Sequence, residues 1–103
     1  MDKDKAKEKQ KSISVNFPNE LKGGVYSNFM VVSHTKEEFV LDFMMIAASA
    51  GTVTSRVIIS PGHMKRMISA LQVNMNNYEK KFGTITPAEE PIKPSIGFHP
   101  QSP

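Results

Sequence analysis

The stretch from Ser60 to Gly83, SPGHMKRMISALQVNMNNYEKKFG, constrains this chain more than any other. It reads as one long helix with both ends marked. Ser60 suits the N-cap, because its hydroxyl can accept from a free backbone N–H of the first turn. Pro61 follows at the first helical position, where its missing N–H costs nothing and its fixed φ helps. Lys80 and Lys81 complement the negative end of the helix dipole. Gly83 supplies the residue type that most often closes a helix. Between these marks, Met64, Ile68, Leu71, Met75, Tyr78 and Phe82 recur in alternating steps of four and three, a 3.5-residue seam. Met67 widens the seam on one side, and Val73 lies off it. Two arrangements fit: an amphipathic helix laid on a sheet, or a seam that meets a symmetry mate.

Ahead of the helix the period changes from 3.5 to 2. Ser12–Phe17, SISVNF, alternates strictly and reads as a short half-buried strand, ended or marked as an edge by Pro18. Val25–His34, Glu38–Met45 and Thr52–Ile59 read as three further strands, the last rich in β-branched residues. Ile46–Gly51, IAASAG, reads as the loop of a hairpin. A tight connection near Thr35–Lys36 would put Val31 opposite Leu41 and Phe29 opposite Phe43. A hairpin centred near Ser49 would put Leu41 opposite Val57 and Phe39 opposite Ile59. One face then holds Phe29, Val31, Phe39, Leu41, Phe43, Val57 and Ile59, and it needs a cover. The expected fold is therefore α+β: an antiparallel β-meander of three to four strands followed by one long C-terminal helix packed on one sheet face.

The chain of 103 residues suffices for one domain with a modest core. The expected organisation is a disordered charged tail over 1–11, a single α+β domain over 12–83, and a disordered tail over 84–103, where five of the seven prolines lie. With no cysteine, disulfides, thiol chemistry and cysteine-ligated metals are excluded. The first residues lack the apolar core of a signal peptide, so a cytoplasmic location is expected. The net charge of +3 owes much to the five lysines and three acids of residues 1–11. The folded part is not strongly basic.

The segment from Tyr26 to Gly83 resembles a small prokaryotic family catalogued as domain of unknown function number 3467. The pieces that carry the resemblance are YSNF at 26–29, SHTKEEFVLDF at 33–43 and SRVIISPGHMKRMISALQVNMNNYEKKFG at 55–83. The resemblance implies strands followed by a long helix. It implies no activity.

Few residues suggest chemistry. The registers above place Asp42 opposite Arg56, with Asn28 as the only obvious polar neighbour. A cross-strand ion pair that sets register and marks an interface is the plainer reading, since a catalytic site needs a further convergent base or nucleophile. His63, Lys65 and Arg66 in the first turns of the helix could hold an anion. With Lys80, Lys81 and the N-terminal lysines they could also contact nucleic acid. The three histidines show no metal-binding spacing. No cofactor is expected. The expected role is a non-enzymatic, homo-oligomeric binding or scaffolding (adaptor) module, with a homodimer or higher oligomer as its form. Nucleic-acid association is the alternative, and an enzyme with a site around Asp42 and Arg56 comes third. With the helix used to cover the sheet, the oligomer contact is expected on the Asp42–Arg56 face or at the helix flank, Met67 and Val73.

Overall fold

The computed structural model describes residues 12–91. The tails expected over 1–11 and beyond 91 lie outside the described residues. Three strands, β1 (Phe29–His34), β2 (Phe39–Ala47) and β3 (Ala50–Ile59), form an antiparallel sheet in the order β1-β2-β3, and a 22-residue helix, α1 (Pro61–Phe82), follows. This is the expected α+β meander with a C-terminal helix. Four details differ from the sequence reading, each for a local reason.

The segment 12–17 forms no strand. Its alternation is real, but Ile13 and Val15 are each 80% exposed. Alternation makes a strand only when a neighbouring edge accepts its hydrogen bonds. A single 3-10 turn at Asn19–Leu21 follows, and regular pairing begins only at Phe29.

The first hairpin is offset by one residue from the expected register. Val31 faces Asp42 and Val32 faces Leu41. The cause is the loop. His34 pairs with Phe39, so four residues connect the strands, and Thr35 closes them. Its backbone N–H donates to the Glu38 carbonyl at 2.9 Å, and its hydroxyl accepts from the backbone N–H groups of Glu37 and Glu38 at 3.1 and 3.3 Å. Since side chains alternate with a period of two, this offset turns all of β1 over. Phe29 and Val31 join the Asp42 face. Met30 and Val32 join Phe39, Leu41 and Phe43.

The second hairpin keeps the expected register where it matters. Asp42 faces Arg56, Leu41 faces Val57 and Phe39 faces Ile59. Past Phe43 the register shifts, leaving Thr54 as the extra residue of a bulge whose hydroxyl donates to the Phe43 carbonyl at 3.2 Å. The shift brings Ala47 opposite Ala50, so the strands continue through IAASAG and only Ala48 and Ser49 turn. Ala48 takes φ 55°, a left-handed conformation unusual for alanine. Gly51 faces Ile46, and a Cβ on it would stand 3.0 Å from Ile46 Cγ1.

The helix does not cover the sheet. None of its residues is buried, and the substantial contacts between elements join β1 with β2 and β2 with β3. The connection explains this. Ser60 alone separates the end of β3 from α1, and its backbone is extended (φ −73°, ψ 156°). A helix that returns over its own sheet commonly needs two to six residues to reverse direction. The core is correspondingly small. Among the described residues only Leu41, Asp42, Met44 and Ile46 are buried, all on the central strand β2.

Candidate functional site

β2 and β3 bring Asp42 and Arg56 together as directly opposed residues. The Arg56 guanidinium donates through Nε to Asp42 Oδ1 at 2.6 Å and through Nη2 to Oδ2 at 2.9 Å. This is the two-pronged geometry that a planar guanidinium and a carboxylate favour. The two ends are unequally placed: the Asp42 side chain is 5% exposed and that of Arg56 is 62% exposed. The hydrogen bonds from Arg56 hold the Asp42 carboxyl below the ordinary carboxylate range. Its burial opposes that shift, and the guanidinium charge adds to it. Both carboxylate oxygens are thus engaged by one partner.

Asn28 does not join this pair. It precedes β1 and reaches the far end of β2. Its Nδ2 donates to the Ile46 carbonyl and its Oδ1 accepts from the Ile46 backbone N–H, both at 2.9 Å. The side-chain amide therefore pairs with Ile46 as a peptide group would. Its own backbone N–H donates to the Met44 carbonyl at 3.1 Å, and the Ser27 hydroxyl donates to the same carbonyl at 3.0 Å. Met44 and Ile46 lie two and four residues beyond Asp42, about 7 and 13 Å along an extended strand. Asn28 finishes the β1 edge of the sheet. The only clue in the sequence is an asparagine one residue before a β-branched and aromatic run.

The helix N-terminus is capped as read. The Ser60 hydroxyl accepts from the His63 backbone N–H at 3.1 Å. Arg66 Nη2 lies 3.2 Å from His63 Nδ1. Lys65 and Arg66 border a shallow depression with Ile68 and Ser69. Lys80 and Lys81 lie in the last turn, with the Lys81 ammonium 5.4 Å from the centre of the Phe82 ring. Lys80 lies fifteen positions after Lys65, about 22 Å along the helix at 1.5 Å per residue. The two basic pairs mark opposite ends of the helix and do not form one patch.

Gly83, at φ 98°, ends the helix, and its N–H donates to the Glu79 carbonyl at 2.9 Å. The Glu79 carboxylate then accepts from the Ile85 backbone N–H at 2.8 Å and turns the chain away. His34 stacks in a tilted arrangement on Phe39, with ring centres 5.2 Å apart. Among the described residues no group of three or more His, Cys, Asp or Glu side chains could hold a metal ion. No described helix is long and apolar enough to cross a membrane.

The most exposed organised feature is the helix seam. Leu71 is 61% exposed and Phe82 64%, and Ile68, Met75 and Tyr78 are also open. Of the apolar residues on this helix only Met64 and Met67 are half-buried.

The domain so defined is a three-stranded meander with a projecting helix, a cross-strand ion pair and an uncovered apolar seam. The chain belongs to the family described as protein of unknown function, DUF3467, whose sequence model matches residues 1–87. No curated protein and no solved structure matches the chain.

Proposed function

We propose that this protein is a non-enzymatic, homo-oligomeric binding or scaffolding module whose assembly surface is α1. The observation that carries this reading is the exposed seam from Ile68 to Phe82 on a helix with no buried residue. Isolated helices of modest length are marginal in water, and most helical stability in proteins comes from packing an apolar face. A 22-residue helix that buries none of its residues among the described ones would gain that packing from another chain. The surface that serves assembly is thus the seam itself, in place of the Asp42–Arg56 face.

The ion pair supports a structural reading of the sheet. Both Asp42 oxygens are taken up by Arg56, and Asn28 is engaged with the Ile46 backbone. A carboxylate so engaged has little freedom to act as a base. The basic residues of α1 stand at two ends, an arrangement that offers nucleic acid no continuous stripe.

Sedimentation velocity across a concentration series tests the proposal. A weight-average mass that rises to at least twice 11.5 kDa is expected. A chain that stays monomeric through tens of micromolar, with its helix intact by circular dichroism, overturns it.

A further inference from the structure

We infer that two copies of α1 pair antiparallel about a two-fold axis at the level of Val73 along the helix, with Lys65 of each copy meeting Glu79 of the other. This rests on the assembly reading above and specifies its geometry. The observation behind it is how charge and size are distributed along the exposed seam.

In an antiparallel pair the two kinds of seam position alternate across the interface. Centring the pair at Val73 sets Met64 against Phe82, Ile68 against Tyr78 and Leu71 against Met75, each twice. Each aromatic ring then meets a flexible or branched aliphatic side chain, and all six seam residues are used. The flanks follow without further adjustment. On one side Lys65 faces Glu79 twice, with Gln72 facing its own copy between them. On the other Met67 faces Lys81 twice, with Asn74 facing its own copy. No like charges oppose each other directly across either flank.

A parallel pair lacks these matches. Phe82 would stack on Phe82 and Tyr78 on Tyr78, and the flanking contacts would be Met67 with Gln72 and Asn74 with Glu79. No opposite charges meet in that arrangement.

Two features of the structure support the antiparallel choice. The first turn of α1 has no acidic residue. The partner's Glu79 would bring a negative charge to that positive end of the helix dipole. Glu79 is also held in place, because one of its oxygens accepts from the Ile85 N–H at 2.8 Å, and among the described residues the other has no hydrogen-bond partner.

The absence of cysteine allows a clean test in the full-length chain. Ile68→Cys and Tyr78→Cys variants are oxidised separately and as an equimolar mixture, with products identified by mass. The antiparallel pair predicts a 68-to-78 heterodisulfide in the mixture and little self-linkage, because like residues lie ten positions apart, about 15 Å along the axis. Met64→Cys with Phe82→Cys repeats the test at the ends should the first variants fold poorly. Efficient self-linkage of each single variant means a parallel pair and overturns the inference, leaving the assembly reading intact. A dimer by sedimentation with no linkage in any combination overturns it equally. A monomer throughout overturns both. As an independent readout, Lys65→Glu should raise the dimer dissociation constant by about 3- to 10-fold, and adding Lys65→Glu to Glu79→Lys should recover most of what Glu79→Lys alone loses.

Discussion

Arg56 grips Asp42 with two hydrogen bonds across neighbouring strands, yet the carboxylate is almost fully enclosed while most of the guanidinium side chain faces solvent. The two partners therefore depend on the pair unequally. Arg56→Met removes the donors and strands an enclosed carboxylate, so it should lower the urea midpoint clearly at pH 7. The acid limb follows from linkage. Arg56 depresses the Asp42 pKa below its ordinary 3.8, so the pair's contribution is complete above that value and is lost as pH falls through the folded-state pKa. The gap in midpoint between wild type and Arg56→Met should accordingly narrow below pH 3.8. A gap that stays constant from pH 7 to pH 2.5 would refute this account.

Asn28 substitutes a side chain for a strand residue. Replacing it with alanine removes a reciprocal pair of hydrogen bonds to Ile46 and should cost about 1–2 kcal/mol. Asn28→Asp is near-isosteric but places a carboxylate oxygen against the Ile46 carbonyl. It should cost more than alanine at pH 7 and recover part of the loss at pH 3, where the acid can donate. Urea denaturation of both variants at the two pH values decides it.

Ala48 carries a left-handed φ of 55° between two strands. An L-residue with a Cβ is disfavoured there by about 1–2 kcal/mol, and glycine is not. Glycine also gives the unfolded chain more freedom, which offsets part of the gain. Ala48→Gly is expected to stabilise the protein by up to about 1 kcal/mol in thermal or urea unfolding. A destabilised variant would show that the turn gains nothing from relief at this position.

Ser60 is both the whole β3–α1 connection and the helix cap. Ser60→Ala removes the acceptor for the His63 N–H and should cost about 1 kcal/mol. Ser60→Asp retains an acceptor and should cost far less. Far-UV circular dichroism through the unfolding transition separates the two.

The parts of this fold legible in the sequence are those governed by neighbouring residues. Ser60, Pro61 and Gly83 mark the helix ends because caps act within one turn. The Asp42–Arg56 opposition was readable because its register is carried by a run of apolar pairs, Phe39 with Ile59 and Leu41 with Val57. The register of β1 was not. It depends on whether the Thr35 hydroxyl closes a four-residue loop, and strand alternation is equally compatible with a loop shorter by one. Both faces of β1 carry apolar residues, so neither register is penalised by composition alone. The place of the second turn is legible in IAASAG, but its two-residue length is not, because Ala48 is not the glycine or asparagine that usually announces a left-handed residue. Ser12–Phe17 has a strand's pattern without a strand's partner. The position of α1 turned on the length of one connection, which periodicity does not encode.

Each strand of the meander pairs only with its sequence neighbour, across loops of four and two residues. Short closures are entropically cheap and low contact order favours rapid folding. The sheet can therefore assemble within one chain at a rate independent of how many copies surround it. A helix that draws its packing from a second copy obeys a different law, since its ordering follows mass action. Dilution would then uncouple the two halves: the pairing of β1, β2 and β3 would persist while α1 frays.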